Sequence, residues 1–253
     1  MSTDAAPAAS RILGESARTP AKRLGVVVVH DLVAAIVTGE VKPGDLLPTE
    51  TELSNLFGVS RTVIRESVKR IEEKGMVRVV QGRGTEVTDE RYWNILDHVV
   101  LTILIENDAT LGVLDEVAVL RSELESVMAR DAAGKRTDDE LEQLRDALER
   151  MHDTMGDPTR FGDEDIAFHA VIMRMSGHII ARGIARRLVD EARDNSARFR
   201  NVPDPDAHSL TLEEHRRILE AIAAGDDIAA AAAMREHVTR AWDRRRDPRS
   251  SAP

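Results

Sequence analysis

Four side chains in the C-terminal half of the chain have the types and spacing of a metal-binding site. Asp165 and His169 are four residues apart, which places both side chains on one face of a helix. His215 lies ten residues before Gly225 and His237 twelve residues after it, on two further predicted helices that turn at this glycine. In an antiparallel pair these two histidines stand at nearly the same level. Three imidazoles and one carboxylate from three helices suit a tetrahedral or octahedral ion, although each histidine alone is also compatible with an ordinary core or surface position.

A second group of side chains, near residue 60, has the chemistry of DNA contact. Arg61 and Arg65 share one helix face, and arginine can meet O6 and N7 of guanine with two parallel donors. The hydroxyls of Ser60 and Thr62, with the free N–H groups of the first helical turn, suit phosphate oxygens. A glycine-containing hairpin tip follows, which would bring Arg83 close to the same DNA.

The distribution of charge separates these two groups. The chain has 253 residues and a formal net charge of −10. Residues 1–88 carry 12 Lys/Arg and 11 Asp/Glu, a net of +1, whereas residues 89–253 carry 23 and 34, a net of −11. Between Ser60 and Arg83, seven basic and three acidic residues leave a local excess of +4. This pattern favours a small DNA-contacting module attached to a larger acidic domain, with a solvated helix face as the alternative.

Composition excludes several classes of protein. The chain has no cysteine, which rules out a disulfide framework, thiolate zinc sites and cysteine nucleophiles. No run approaches 18 consecutive apolar residues, and the first 20 residues lack the apolar core of a signal peptide. We therefore expect a soluble, cytoplasmic protein with no membrane partner. Aromatic residues make up only 3%, which together with abundant Ala, Leu, Glu and Arg favours helices.

The arginines are predicted to lie on the longer, second helix of a pair joined by a tight turn. Thr49 and Glu52 form a capping-box pattern, which opens a helix ending near Leu56. Gly58 suits a left-handed turn, and Ser60 is a good N-cap for a second helix that runs to about Lys74. An earlier helix has its apolar residues four positions apart, at Val28, Leu32 and Ile36.

Two β-rich runs, 76–80 and 85–87, follow on either side of a Gly-x-Gly tip and indicate a β-hairpin. Helices and hairpin together make a winged helix-turn-helix. We place it at residues 19–88, behind a disordered arm at residues 1–18.

The rest of the chain is predicted to be helical. A linker at residues 89–93 leads to a helical domain at 94–248 and a tail at 249–253. The fold class is therefore mainly α, with an N-terminal winged helix-turn-helix and a C-terminal all-helical bundle. The predicted helices span about 94–106, 115–133, 138–154, 159–176, 179–200, 210–224 and 226–247.

Motifs in the first domain resemble a known family. They are Pro43-Gly44-Asp45-x-Leu47-Pro48-x-Glu50, Phe57-Gly58-Val59-Ser60-Arg61-x3-Arg65-Glu66 and Gly82-x-Gly84-Thr85. Over residues 24–88 the chain resembles the DNA-binding domain of the GntR family of bacterial transcription regulators. The resemblance implies a phosphate contact by Ser60 and operator contacts by Arg61, Thr62, Arg65 and the wing tip Gln81-Gly82. Many members have arginine where this chain has Thr51, which can still reach a phosphate.

Residues 94–247 resemble the FCD ligand-binding domain of FadR-like GntR regulators, an antiparallel helical bundle. The markers are Arg121-x2-Leu124-Glu125, Asp165-x2-Phe168-His169, and His215-x2-Ile218 followed by Met234-x2-His237. In metal-binding members an aspartate and three histidines at these positions hold a divalent ion, which implies that Asp165, His169, His215 and His237 bind Zn²⁺, with Ni²⁺ or Mn²⁺ as alternatives. Arg121 matches a position that binds an effector carboxylate, and its alternative role is an i,i+4 pair with Glu125.

A short motif, Trp93-Asn94-x-Leu96-Asp97, resembles a signature of sugar-acid regulators and favours an aldonate-type effector. The sequence thus predicts a homodimeric regulator that binds double-stranded operator DNA and is released from it by a small hydroxy-carboxylate. Three alternatives stay open: a metal sensor with the ion as signal, a metal-dependent hydrolase with an accessory DNA-binding domain, and an acyl-CoA-responsive regulator. The intact histidine triad argues against the last.

Overall fold

In a computed structural model, residues 21–195 and 206–246 are described, with side chains from residue 24. The predicted arm at 1–18, the tail at 249–253 and the last five residues of the helix predicted at 179–200 lie outside these residues. The chain divides into two compact units, Met1–Ile103 and Leu104–Pro253. Among the described residues, no helix is long and apolar enough to cross a membrane.

The first unit is a winged helix-turn-helix, as predicted. Its elements are α1 (Ala21–Val37), α2 (Glu50–Phe57), α3 (Arg61–Glu73), β1 (Val77–Val80) and β2 (Gly84–Val87). The strands form an antiparallel hairpin in which Val77 pairs with Val87 and Val80 with Gly84. Helix α3 packs against α1, α2 and β1, and the fully buried side chains include Ile64 and Ile71.

The helix-turn-helix begins and ends where the local chemistry predicts. Thr49 accepts the Glu52 N–H while the Glu52 carboxylate accepts the Thr49 N–H, which completes the capping box of α2. Gly58 closes that helix in the left-handed conformation at φ 64°. Ser60 then caps α3 by accepting the N–H of Val63.

The segment after the hairpin is bonded to the C-terminal end of α3. The Asn94 N–H donates to the carbonyl of Lys74 (2.8 Å), and Lys74 Nζ lies 2.6 Å from Asp97 Oδ2. Gly75 adopts φ +74°, and a Cβ there would lie 2.0 Å from the carbonyl oxygen of Tyr92. The Trp-Asn-x-Leu-Asp motif therefore has a structural role in attaching this segment to α3.

The helix predicted from residue 94 instead begins at His98, because Asp97 caps it. One carboxylate oxygen of Asp97 accepts the N–H groups of Val99 and Val100. The resulting α4 (His98–Asn107) contains the boundary between the two units. The predicted linker contains a 3-10 helix at Glu90–Tyr92.

The second unit is a bundle of long helices. They are α5 (Gly112–Lys135), α6 (Asp138–Asp153), α7 (Pro158–Met175), α8 (Ile179–Asp194), α9 (Ala207–Ala224) and α10 (Asp227–Arg246). Helix α5 is central and packs against α7, α8, α9 and α10. The core combines alanines of α5 with larger side chains such as Leu144, Phe168 and Ile218, and small residues on the central helix let its neighbours approach closely. Gly225, at φ 74°, ends α9 and allows the reversal into α10.

Candidate metal centre and nucleic-acid surface

The side chains predicted to contact DNA are all exposed on the first unit. Arg61, Thr62 and Arg65 project from the first turns of α3, and Thr51 lies in the first turn of α2. The Ser60 hydroxyl already accepts the N–H of Val63, at 3.4 Å, and still has a hydrogen to donate to a phosphate. The first turn of α3 therefore presents both cations and hydrogen-bond donors to solvent.

Arg65 is held in place by a residue that the sequence reasoning did not assign. Its Nε and one terminal nitrogen each donate to a carboxylate oxygen of Glu50, both at 3.1 Å. The hydrogen bond and charge of Arg65 hold the pKa of Glu50 below its usual value. This fork uses one edge of the guanidinium and leaves the other edge, with three further N–H donors, for an acceptor such as guanine.

The wing tip at Gln81, Gly82 and Arg83 is also exposed. Gly82 has φ +75° with nothing within 4 Å of a Cβ, so its backbone can approach a flat or convex surface closely. Arg83 lies 3.9 Å from the largely buried Glu86, and 66% of the Arg83 side chain is exposed, so this long ion pair leaves that side chain able to move.

In the second unit, the four predicted metal ligands meet at one point. Asp165 and His169 lie on α7, His215 on α9 and His237 on α10, and one ligand atom from each lies within 4.8 Å of the others. The Nε2 atom of His169 is 3.2 Å from Nε2 of both His215 and His237. Oδ1 of Asp165 is 3.3 Å from His215 Nε2 and 4.0 Å from His169 Nε2. The prediction that His215 and His237 stand at one level on α9 and α10 is confirmed, since the centroids of their rings are 4.3 Å apart.

The opposite nitrogen of each imidazole lies against an oxygen atom of the protein. Nδ1 of His215 donates to the Thr211 carbonyl (2.8 Å), and Nδ1 of His237 donates to Glu214 Oε2 (2.8 Å). Nδ1 of His169 lies 2.6 Å from Oε2 of Glu125. These oxygen atoms are acceptors, so the proton of a neutral ring lies on Nδ1 and its Nε2 lone pair faces the other two rings.

The chemistry of this donor set fits a divalent metal ion. When the three rings are neutral, the Nε2 lone pair of His169 lies 3.2 Å from those of His215 and His237 and repels them unless a cation lies among them. The rings are buried, with exposures of 3%, 0% and 3% for His169, His215 and His237. A tetrahedral ion with ligands near 2.1 Å separates its ligand atoms by about 3.4 Å. The distances from His169 Nε2 to the other two imidazoles, and from Asp165 Oδ1 to His215 and His169, are 3.2 to 4.0 Å and close to this value. All four ligand atoms lie within 4.8 Å of one another.

The titration behaviour of the rings agrees with a ligand role. Burial lowers the pKa of His215 to about 4, and burial together with the charges of His215 and His169 lowers the pKa of His237 well below its ordinary value. Burial acts in the same direction on His169, but the carboxylates of Glu125 and Asp165 outweigh it and raise the pKa of that ring. Two rings are thus held neutral, the form that binds metal.

Asp165 is the one ligand of the four that reaches solvent, with 20% of its side chain exposed. Burial alone would raise its pKa, but the histidines and the guanidinium of Arg245 outweigh burial and lower it. Its carboxylate is therefore ionised, and access to the cluster is from its side.

Arg121 forms the i,i+4 pair that the sequence allowed as its alternative role. Its Nε donates to Oε1 of the buried Glu125 at 2.9 Å. Glu125 also contacts the ligand His169, so a single side chain separates Arg121 from that ligand. The ion pair uses the Nε–H of Arg121, and the assignment of Arg121 to an effector stays a prediction.

Sequence reasoning missed three further residues around the cluster: Glu214, Arg244 and Arg245. Arg244 donates to both oxygens of Glu214, at 2.7 and 2.9 Å. Arg245 is exposed, yet its pKa is lowered. The surrounding protein and the positive charges of Arg121 and Arg244 lower this pKa, and the negative charge of Asp165 acts in the opposite direction. The charge of Arg245 therefore lies close enough to Asp165 for each to affect the pKa of the other. Arg244 could have been found, because it is seven residues after His237 and so on the same helix face.

Two family models match the chain. Residues 24–87 match "Bacterial regulatory proteins, gntR family" and residues 116–240 match "FCD domain". All four clustered ligands and Arg121 fall within the second match, and all the exposed DNA-contact candidates fall within the first.

Curated relatives match over most of their length. The galactonate operon transcriptional repressor of Escherichia coli is 30% identical over 80% of this chain and 88% of the relative. The transcriptional regulator LutR of Bacillus subtilis is 29% identical over 82% and 94%. Among solved structures, Lar, described as controlling expression of the Listeria monocytogenes agr system, has a TM-score of 0.55 at 16% identity, covering 90% of this chain and 99% of that one. This last similarity supports the fold alone.

Proposed function

The chain belongs to the GntR family of bacterial transcription regulators and carries an FCD domain, and on that basis we propose that it is a repressor released from operator DNA by a small hydroxy-carboxylate bound beside a divalent metal ion. The matching families and relatives are DNA-binding regulators and not enzymes. The observation that carries the proposal is the convergence of three buried imidazoles and Asp165 in the effector-binding domain.

Operator recognition rests on the exposed N-terminal end of α3. Arg61 and Arg65 would read guanine edges, while Ser60, Thr62 and Thr51 would bind phosphates. The wing tip at Gln81, Gly82 and Arg83 would reach the adjacent backbone or minor groove. Dimerisation is typical of the family, and a homodimer would present two recognition helices to a pseudo-palindromic operator.

Zn²⁺ is the first ion to test at the cluster, with Ni²⁺ and Mn²⁺ next. Three imidazole nitrogens and one carboxylate oxygen suit Zn²⁺ and Ni²⁺ in particular. Once bound, the ion supplies open coordination positions to oxygen atoms of an effector. Asp165 marks the side from which an effector enters, since the other three ligands are buried.

The charges around the cluster favour an anionic effector. Asp165, Glu125 and Glu214 contribute three negative charges, and Arg121 and Arg244 two positive ones, so that the described neighbours sum to −1 with neutral histidines. A divalent ion brings the sum to +1, and Arg245 adds to it. We assign the terminal nitrogens of Arg121 to the effector carboxylate, because its Nε is bonded to Glu125. A sugar acid is the first class to test, since one relative is named for the galactonate operon.

Fluorescence anisotropy with a DNA selected from a randomised library tests this proposal. Zinc-loaded and chelator-stripped proteins are each titrated with galactonate, gluconate and glycolate, and DNA release is measured. We expect a hydroxy-acid to release DNA from the zinc-loaded protein and not from the stripped protein. Release by zinc without any acid would make the ion the signal, and hydroxy-acid release that is equal in stripped protein would contradict a role for the metal.

A further inference from the structure

Two of the three clustered histidines are each backed by a glutamate that is itself bonded to an arginine. On one side, His169 Nδ1 lies 2.6 Å from Glu125 Oε2, and Arg121 Nε donates to Glu125 Oε1 at 2.9 Å. On the other side, His237 Nδ1 donates to Glu214 Oε2 at 2.8 Å, and Arg244 donates to both oxygens of Glu214.

We propose that Glu125 and Glu214 are positioning residues of the metal centre: each fixes one histidine ring with Nε2 towards the ion, and Arg121 and Arg244 allow each carboxylate to stay charged inside the bundle. This inference rests on the proposed metal centre and assigns residues outside its four ligands.

The burial of the two glutamates supports this role. Glu125 is 1% exposed and Glu214 8% exposed, and a carboxylate so far from water is costly unless charged or hydrogen-bonded groups compensate it. Arginine compensates one oxygen of Glu125 and both oxygens of Glu214, and Oε2 of each carboxylate lies against Nδ1 of a histidine. A metal-binding histidine commonly donates its second N–H to a carboxylate, which fixes the tautomer and raises the basicity of the ring.

The third histidine shows why two glutamates are sufficient. His215 donates Nδ1–H to the carbonyl of Thr211, four residues earlier on the same helix. Its orientation is therefore set by α9 itself. His169 and His237 have side-chain acceptors instead, from α5 and from α9 respectively, so their orientation depends on packing between helices.

The chain contains a matched control pair. Glu123 of α5 and Arg235 of α10 make a two-bond ion pair, at 2.9 and 2.8 Å, between helices that also carry the proposed residues. This pair is solvent-exposed, with side-chain exposures of 57% and 49%, and Glu123 is not part of the cluster. Glu123→Gln therefore removes the same charge from the same helix as Glu125→Gln without changing a histidine contact.

Metal affinity measured on the full-length protein tests the proposal. Stripped wild type, Glu125→Gln, Glu214→Gln and Glu123→Gln are titrated with Zn²⁺ against a chelating dye, and with Co²⁺ while its visible absorption bands are recorded. We expect Zn²⁺ affinity to fall about 10- to 100-fold in each of the first two variants, the range for loss of an outer-shell partner of a metal ligand. The Co²⁺ bands should shift in both, because a reoriented imidazole changes the ligand field, and Glu123→Gln should match wild type in both measurements.

Three outcomes overturn the inference in distinguishable ways. If wild type itself takes up no Zn²⁺ or Co²⁺, the proposed metal centre fails, and this inference fails with it. If wild type binds metal and both glutamine variants bind it as tightly with unchanged Co²⁺ bands, only the positioning role is wrong. Equal losses in Glu123→Gln would show that the effect is general charge removal. Glu125 and Glu214 lie on different helices, so one variant still tests the role if circular dichroism shows the other to be misfolded.

Discussion

Replacing Asp165 by asparagine keeps the volume of the side chain and removes the single charged ligand of the cluster. Zn²⁺ at 100 times the wild-type Kd stabilises the folded protein by about 2.7 kcal/mol. Loss of one of four protein ligands should weaken binding by at least about 100-fold, the upper end of the range for losing only an outer-shell partner. The same Zn²⁺ concentration would then stabilise Asp165→Asn by no more than about 0.4 kcal/mol. The difference, about 2.3 kcal/mol, corresponds to about 5 to 9 °C in Tm for a unit of this size.

The two tryptophans allow the helical unit to be followed by itself. Trp93 belongs to the first unit and Trp242, whose indole N–H donates to Asp115 at 2.7 Å, belongs to the second. In a Trp93→Phe background, thermal unfolding monitored by Trp242 fluorescence, with chelator and with Zn²⁺, reports the metal-dependent shift of the second unit. The shift should be large in the parent and nearly absent in Asp165→Asn.

Asp163→Asn is the matched control, because it removes a carboxylate from the same helix two residues away. Asp163 is half-exposed and pairs with Arg193 at 2.7 Å. An exposed pair of this kind contributes at most about 1 kcal/mol, so the variant should keep the full metal-dependent shift. If Asp165→Asn also kept that shift, the carboxylate would not be a ligand and the metal site deduced from the four residues would be wrong.

Three further predictions concern other parts of the chain. In a competition anisotropy assay, Arg65→Ala should weaken binding to a selected operator by about 10- to 100-fold and relax base preference at one position, as expected for loss of a bidentate guanine contact. Arg70→Ala, on another face of α3, should not alter base preference. Unchanged base preference in Arg65→Ala would contradict the recognition role of this side chain. In a Trp242→Phe background, Gly75→Ala should destabilise the winged unit by more than about 1 kcal/mol in urea unfolding followed by Trp93 fluorescence. The reason is that Gly75 has φ +74° and its Cβ would lie 2.0 Å from a carbonyl oxygen. Gly82→Ala, whose Cβ would meet nothing within 4 Å, separates that contact from the cost of positive φ. His178→Ala should return the pKa of Asp131 towards its ordinary value, since a hydrogen bond from His178 is the largest cause of its lowering. A lowered pKa contributes stability that is complete above the unfolded-state pKa of about 4 and is lost as pH falls through the folded-state value, so the difference in stability between wild type and variant should close at acid pH. An Asp131 pKa that NMR titration finds unchanged in the variant would refute the assignment.

Much of the winged unit follows from local sequence signals. The capping box at Thr49, the N-cap at Ser60 and the left-handed glycine at Gly58 each act over a few residues, and the structure has all three where they were predicted. The same is true of the i,i+4 relation between Asp165 and His169, which any helix through those residues must produce. Residue spacing around Gly225 was also enough to bring His215 and His237 to one level, because a tight turn allows little freedom between two antiparallel helices.

The start of α4 was misplaced because its cap also depends on the tertiary structure. The apolar pattern from residue 94 is helical, but Asp97 is held near Lys74, 23 residues earlier, and caps the helix from there. Local periodicity cannot show such a contact, because it depends on where α3 ends in space.

The sequence alone predicted which unit contacts DNA, which four residues meet and which domain contains them. What surrounds those residues depends on the tertiary structure. The acceptor for His169 comes from Glu125, 44 residues earlier and on another helix, and the Arg65 fork is held by Glu50, 15 residues away across the turn. Neither pairing has a local pattern, because helix packing, and not the period of any one helix, brings these charged groups together. The protonation of the histidines has the same origin, since it depends on burial and on charges carried by neighbouring helices.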